Sequence, residues 1–354
     1  MTDDDTSVQT IDTDCAGKSD SLESALSPAQ WSYTFAMAKI QAMVGVLWQG
    51  VRRLPAEQKP PRDLYEKWEA LADMVAAIHR THTGHIEELK AILKDRGLHA
   101  CLLKGTSLAA LYPEPSSRQC GDIDVWVAGS HKDTLRALGQ DWHVSGVLWQ
   151  ECKVGFFNDT IVEVHFHPCK MYNPFLNARF QRTMERLSPI SPDEPLTTPG
   201  ARFNAVFCMA HMYRHYLEGG IGFRQMLDYY FVLERLDAND RAAVLKDLRH
   251  LGMRRFTAAA MHVMVKVFGL EEGFLLCAPD MKYGDKLLKE ALSMGNFGVM
   301  DARNRASADE TRLARFMRKN ARVWSHLRDY PRETFWSPYA RVRQHLWRIL
   351  HHYV

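Results

Sequence analysis

An α+β protein is what the sequence predicts: a small mixed β-sheet core, preceded by helices and followed by an all-helical C-terminal region. Three observations carry that expectation. Short apolar and β-branched runs crowd between Leu98 and His167 with few helical stretches among them, which suits a small sheet covered by helices. On both sides of that block, apolar residues recur at helical spacing. Pro192, Pro195 and Pro199 punctuate the passage into the C-terminal helices.

In chain order, residues 1–28 are rich in Asp, Ser and Thr and carry few large apolar groups, so they cannot bury enough surface to offset chain entropy. A disordered acidic tail is expected there. Ser27-Pro28 suits a helix entry, and Trp31 to Trp48 reads as one packed helix. After Pro60-Pro61, Leu64 to Arg96 reads as a long helix with Trp68, Leu71, Met74, Ile78, Ile86, Leu89 and Ile92 on one stripe, closed by Gly97. Strands are expected over 98–103 and 122–127, short helices over 106–111 and 131–140, and two or three antiparallel strands over 146–167. Helices follow over 203–217, 222–236, 241–251 and 254–267, with a last group over 312–351. The expected divisions are therefore 1–28, 29–97, 98–172 and 173–354.

Composition narrows the classes of function. With 354 residues, 46% of them hydrophobic, the chain supplies a substantial core. A net charge of +3 gives no global attraction to nucleic acid. The seven cysteines include no Cys-x-x-Cys pair, which argues against a disulfide framework and a thiolate zinc site. No apolar run approaches the roughly 20 residues of a membrane span, and the Met-Thr-Asp-Asp-Asp start is acidic rather than basic-then-apolar. A cytoplasmic location is expected.

The chemistry concentrates in one stretch. Asp122 and Asp124 sit at the start of a strand, where alternation places both carboxylates on one face while Ile123, Val125 and Val127 face a core. Two anions so close repel unless a cation neutralises them, and a divalent ion with hard oxygen ligands suits the pair. Val154 to Phe157 and Thr160 to His167 flank Asn158-Asp159 as a hairpin with a tight polar turn, which puts Glu163, His165 and His167 on one face of its second strand. Lys104-Gly105-Thr106-Ser107 opens a helix after a strand, where free backbone N–H groups hold phosphate oxygens, although the full P-loop spacing is missing.

Lys104-Gly-Thr-Ser107, Arg118, Gly121-Asp-Ile-Asp124 and Val162-Glu-Val-His165, in that order, resemble the DNA polymerase β-like nucleotidyltransferase superfamily, in particular its family of uncharacterised bacterial nucleotidyltransferases. That pattern is a Gly and a small residue on a helix start, an Asp-x-Asp/Glu on the next strand, and a further carboxylate on a later strand. Here the gap from Gly105 to Asp122 is a little longer than usual, and the small residue is Thr106. The resemblance implies a nucleotidyltransferase core over 98–172. It further implies a Mg²⁺-dependent enzyme, with Mn²⁺ as an alternative, moving a nucleoside monophosphate from an NTP to an acceptor with release of pyrophosphate. Asp122, Asp124 and Glu163 would be the catalytic, metal-holding carboxylates. Lys104, Gly105, Thr106 and Ser107 would bind the nucleotide, with Arg118 offsetting charge on the triphosphate.

The acceptor (small molecule, protein or RNA) is not legible. A competing reading is a catalytically weak binding or regulatory module on the same fold, such as a toxin–antitoxin component. Other features have blander readings. His211 and His215 lie one helical turn apart, but Met212 replaces a zinc protease's Glu and no third ligand is evident, so packing is expected. Arg224 and Asp228 are spaced for a helix ion pair. The arginines of 312–348, with Trp324, Trp336 and Trp347, could steer RNA, but a solvated helix face is the favoured expectation.

Overall fold

The computed structural model describes residues 21–300 and 310–351. Three helices lead the chain: α1 (Pro28–Ile40), α2 (Val44–Val51) and α3 (Arg62–Asp95). The sheet region carries β1 (Ala100–Leu103), α4 (Gly105–Ala109), β2 (Ile123–Val127), α5 (His131–Leu138), β3 (Val144–Ser145), β4 (Glu151–Val154) and β5 (Val162–His165). Then follow α6 (Pro174–Arg186), β6 (Leu196–Thr197), α7 (Ala201–Glu218), α8 (Phe223–Glu234), α9 (Ala238–His250), α10 (Arg254–Phe268) and α11 (Met281–Met294). Last come α12 (Arg312–Trp324), α13 (Pro331–Thr334) and α14 (Ser337–Leu350). The α+β expectation holds, with one six-stranded mixed sheet in the order β3-β4-β5-β2-β1-β6.

Capping explains where α1 begins. The Ser27 hydroxyl accepts from the Gln30 backbone N–H while the Gln30 side chain accepts from the Ser27 N–H, and Pro28 occupies the first turn. Most of the expected tail, residues 1–20, lies outside the described residues. Packing nonetheless begins before Pro28: Leu22 is buried in the N-terminal core, and both its backbone groups bond the Gln58 side chain. The single helix expected over 31–48 is broken instead at Gln41–Met43, where Ala42 adopts a φ of 54°. The break is tertiary in origin. Gln41 turns inward to donate to the Ala291 carbonyl and accept from the Phe223 N–H.

In α3 the buried stripe runs through Trp68, Ala72, Val75, His82, Leu89 and Leu93, while Met74 and Ile78 are exposed. The expected stripe therefore turns by about one position along the middle of the helix. That rotation brings His82 and His85, not Met74 and Ile78, toward Asp122 and Asp159, which precede β2 and β5.

Each strand of the sheet alternates between two cores, as pleating requires. Leu102, Ile123, Val125 and Val164 face α3 and α5 through Leu89, Leu93 and Leu138. Cys101, Leu103 and Trp126 face the opposite way, into the large helical core built on α7. Trp126 stacks on Phe203 of α7 at 6.0 Å between centroids, so α7 crosses this second face. Asp124, Glu163 and His165 project into the same gap. The expected tight hairpin turn is not seen: β4 and β5 pair antiparallel, but residues 155–161 connect them, and Thr160 and Ile161 lie in the loop.

Candidate active site

Register creates the site. β2 and β5 run parallel with Asp124 opposite Glu163 and Trp126 opposite His165, so in-register side chains lie side by side on one face. The next strand, β1, pairs antiparallel with β2 and ends at Leu103 opposite Asp124, which delivers Lys104 to the same point. Lys104 holds a positive φ of 33°, an uncommon conformation for a residue with a side chain, at the abrupt turn from β1 into α4.

The four polar groups are in contact. The Lys104 ammonium lies 2.9 Å from Asp124 Oδ1, and His165 Nε2 lies 2.9 Å from the same oxygen. Glu163 Oε2 is 3.9 Å from His165 Nε2, and Lys153 stands 3.4 Å from Glu163 Oε1. Ligand atoms of Asp124, Glu163 and His165 all fall within 4.8 Å of one another, the one such group among the described residues. Two carboxylates and an imidazole converging on one point form a donor set that fits a divalent ion.

The electrostatics differ across the cluster. Burial by itself would push Asp124 up, but the Lys104 ammonium and the His165 hydrogen bond hold its carboxyl below the usual range. Glu163 goes the other way: burial and the neighbouring charges of Asp124 and Glu151 raise it. The cluster therefore has more negative charge than its cations neutralise.

Asp122 stands one residue before β2, half-buried and outside the group of three, yet near enough for its charge to act on Glu163 and Lys104. A Cβ on Gly105, whose φ of 52° favours glycine, would sit 3.6 Å from the Asp122 carbonyl, so α4 starts against this strand. Thr106 and Ser107 do not meet the carboxylates. They line a separate cavity of about 610 Å³, with His79, Ile86, Leu102 and Asn204 also on its wall.

Arg118 does not reach this cluster as a free cation. It is 3% exposed and makes a bidentate pair with Asp228 of α8, Nε to Oδ1 and Nη2 to Oδ2 both at 2.7 Å. Tyr112 also donates to Asp228 Oδ1 at 2.7 Å. The expected Arg224–Asp228 helix pair is thus replaced: Asp228 is taken by Arg118, and Arg224 donates instead to the Gln119 carbonyl at 2.8 Å. His167 is a further correction. β5 ends at His165, and the His167 ring stacks on Trp149 at 3.8 Å, away from the carboxylates.

Several neighbours escaped the sequence reading. His79, His82 and His85 recur every three residues along α3, and each has an Nδ1 without a hydrogen-bond partner. His82 feels the Asp122 charge, and His85 lies 3.5 Å from Asp159 while stacking on Phe157. Their three-residue spacing was the available signal. On the opposite wall, His211 and His215 touch through their Nε2 atoms at 3.0 Å. Burial and their mutual proximity push His211 down, and burial with Arg214 nearby holds His215 down to about 3, so both rings are neutral. Phe297 stands edge-on to His215 at 4.8 Å, and the Arg224 guanidinium lies over the Phe297 ring at 5.6 Å. The loop that carries Phe297 is seated by glycine: a Cβ on Gly222 would meet Asn296 Cα at 2.7 Å.

The C-terminal arginines are largely paired. Arg315 and Arg318 bind Glu310, Arg341 reaches Asn320 and the Tyr172 hydroxyl, and Arg322 is buried against Glu290 and the Tyr216 carbonyl. No helix among the described residues is long and apolar enough to cross a membrane.

Mixed sheet, paired strand carboxylates and helical surround are consistent with a nucleotidyltransferase fold. Residues 27–269 match the family described as "Uncharacterised nucleotidyltransferase", and the chain belongs to that family. No curated protein and no solved structure matches it. Nucleotidyl transfer from an NTP is therefore its general activity.

Proposed function

We propose that the chain transfers a nucleoside monophosphate from an NTP to an acceptor hydroxyl or phosphate, with a divalent ion, Mg²⁺ in the first instance, held by Asp122, Asp124 and Glu163. The observation that carries this reading is the register of Asp124 beside Glu163, with Lys104 closing on the same oxygen. When bound, such an ion supplies Lewis-acid polarisation of the phosphoryl oxygens and eases deprotonation of the acceptor.

The chain's own groups do the rest. Lys104, whose ammonium lies 2.9 Å from Asp124 Oδ1 with its side chain a quarter exposed, would turn to the triphosphate, where the backbone N–H groups of Gly105 and Thr106 would add donors and the Ser107 N–H, bonded to the Lys104 carbonyl, holds the turn. Glu163, side by side with Asp124 across the β2–β5 pairing, accepts the proton of an acceptor hydroxyl. The acceptor oxygen forms a bond to the α-phosphorus, the bond from that phosphorus to the bridging oxygen breaks, and pyrophosphate leaves with its electron pair. Arg118 keeps the loop of residues 112–120 fastened to α8 and takes no part in holding phosphate.

Titration with ATP, GTP, CTP and UTP in Mg²⁺, with α-labelled nucleotide and a pyrophosphate assay, tests the reading. Mg²⁺-dependent binding of at least one NTP that is lost in Asp124→Asn is expected. NTP binding indifferent to both Mg²⁺ and Asp124 would overturn it.

A further inference from the structure

We propose that His165 is itself a metal ligand, so that the centre is a mixed oxygen and nitrogen set, Asp124, Glu163 and His165, selective for Mn²⁺ over Mg²⁺. The inference rests on the metal-dependent reading above and changes both the ligand set and the ion.

Position is the first argument. Parallel pairing of β2 and β5 puts His165 two residues beyond Glu163 on the face that carries Asp124. Its Nε2 lies 2.9 Å from Asp124 Oδ1 and 3.9 Å from Glu163 Oε2, separations that ligand atoms sharing one ion can adopt with little movement. Asp122, the carboxylate expected to complete the set, stands outside this group.

Orientation is the second. An imidazole donates to a metal through one nitrogen while the other is anchored, commonly by a carboxylate. His165 is 2% exposed, and its Nδ1 has no hydrogen-bond partner, yet Glu151 Oε2 stands 3.6 Å away on the neighbouring strand. β4 and β5 pair Glu151 directly with His165, so this carboxylate is placed by register. For an ion to bind, the proton that Nε2 shares with Asp124 would pass to Nδ1, facing Glu151, and free the Nε2 lone pair beside Asp124 and Glu163.

Selectivity follows from the donors. Mg²⁺ demands oxygen ligands in near-ideal octahedral geometry and gives up water reluctantly, whereas Mn²⁺ accepts imidazole nitrogen beside carboxylates. An all-carboxylate centre would not discriminate in this way.

Pulsed electron paramagnetic resonance of the Mn²⁺-loaded full chain tests the assignment, alongside Mn²⁺ and Mg²⁺ binding titrations. The wild type should show ¹⁴N coupling to Mn²⁺ and bind Mn²⁺ at least about tenfold more tightly than Mg²⁺. His165→Asn should lose that coupling and most of the Mn²⁺ preference. Glu151→Gln, a milder change outside the ligand set, should keep the coupling and weaken Mn²⁺ by roughly tenfold. Mn²⁺ that binds through Asp124 without ¹⁴N coupling, or coupling that survives His165→Asn, would overturn the inference and leave the proposed function standing. Absence of any divalent binding would remove both.

Discussion

Two buried meetings of cation and carboxylate sit on either side of α4, and they are settled in opposite ways. At Arg118–Asp228 one guanidinium matches one carboxylate in bidentate fashion, with Tyr112 filling a remaining lone pair, so charge and hydrogen bonding are both satisfied. At Lys104–Asp124–Glu163–His165, Lys104 serves Asp124 while Glu163 has only the half-exposed Lys153 at 3.4 Å and is raised, and His165 Nδ1 lacks a hydrogen-bond partner. The balanced pair fastens a loop to a helix. The unbalanced cluster retains a capacity for a further cation. Incomplete neutralisation, more than burial or acidity, is what separates a candidate site from a structural ion pair here.

The largest test of that contrast is Asp124→Asn. Nucleotidyl transfer should fall by roughly 10³-fold, about 4 kcal/mol of barrier, the size of effect seen when a charge-stabilising group is removed from an active site. The melting temperature should move little, because Lys104 is a quarter exposed and can turn to solvent. Arg118→Met should do the reverse. Leaving Asp228 buried without its cation costs about 3 kcal/mol or more of stability, read by denaturant unfolding, with metal affinity of the folded protein unchanged. Adding Asp228→Leu should recover much of the loss, since an apolar pair of similar volume replaces a satisfied ion pair at little cost.

A third buried carboxylate sharpens the comparison. Glu333 of α13 is dominated by burial, which pushes it up to about 8 despite the backbone N–H groups of Tyr172 and Asn173 that it accepts from and the charge of Arg214 nearby. It is settled by a proton. A raised carboxyl stabilises the fold fully below its unfolded value, near 4.5, and loses that contribution as pH rises through about 8. Between pH 7 and pH 9 stability should therefore drop by about 1.4 kcal/mol relative to Glu333→Gln, measured by urea unfolding at both pH values. The smallest effect is expected at the surface: Arg315→Gln with Arg318→Gln, both paired to Glu310, should leave melting temperature and nucleotide transfer unaltered.

The sequence carried the parts of this fold that local rules encode. β1 and β2 were legible because their residues alternate between two apolar cores, and Asp124 and Glu163 because a polar residue inside such a run stands out. β6 was missed: two residues pairing parallel with β1 carry no period. The break at Ala42 was invisible, since what bends the chain there is Gln41 reaching a carbonyl 250 residues away. The Arg118 partner was invisible for the same reason, since Asp228 lies 110 residues on. His165 was placed on the right face, but its value as a ligand depends on Asp124 and Glu151, which come from two other strands.

The seam between the two glycine-bearing segments bears on how this protein can be divided. Gly222 and Asn296 meet so closely that neither chain could carry an extra carbon there, and Gly220 is similarly pressed on Gly298. The family match ends at residue 269, while Phe297 beside His215, and Ala291 bonded to Gln41, lie beyond it. The matched block is accordingly not a detachable cassette. A chain cut at residue 269 would remove Phe297 from beside His215 and leave the turn at Gln41 with only the Phe223 N–H of its two anchors, so any transplant of this activity to another scaffold must take the later helices with it.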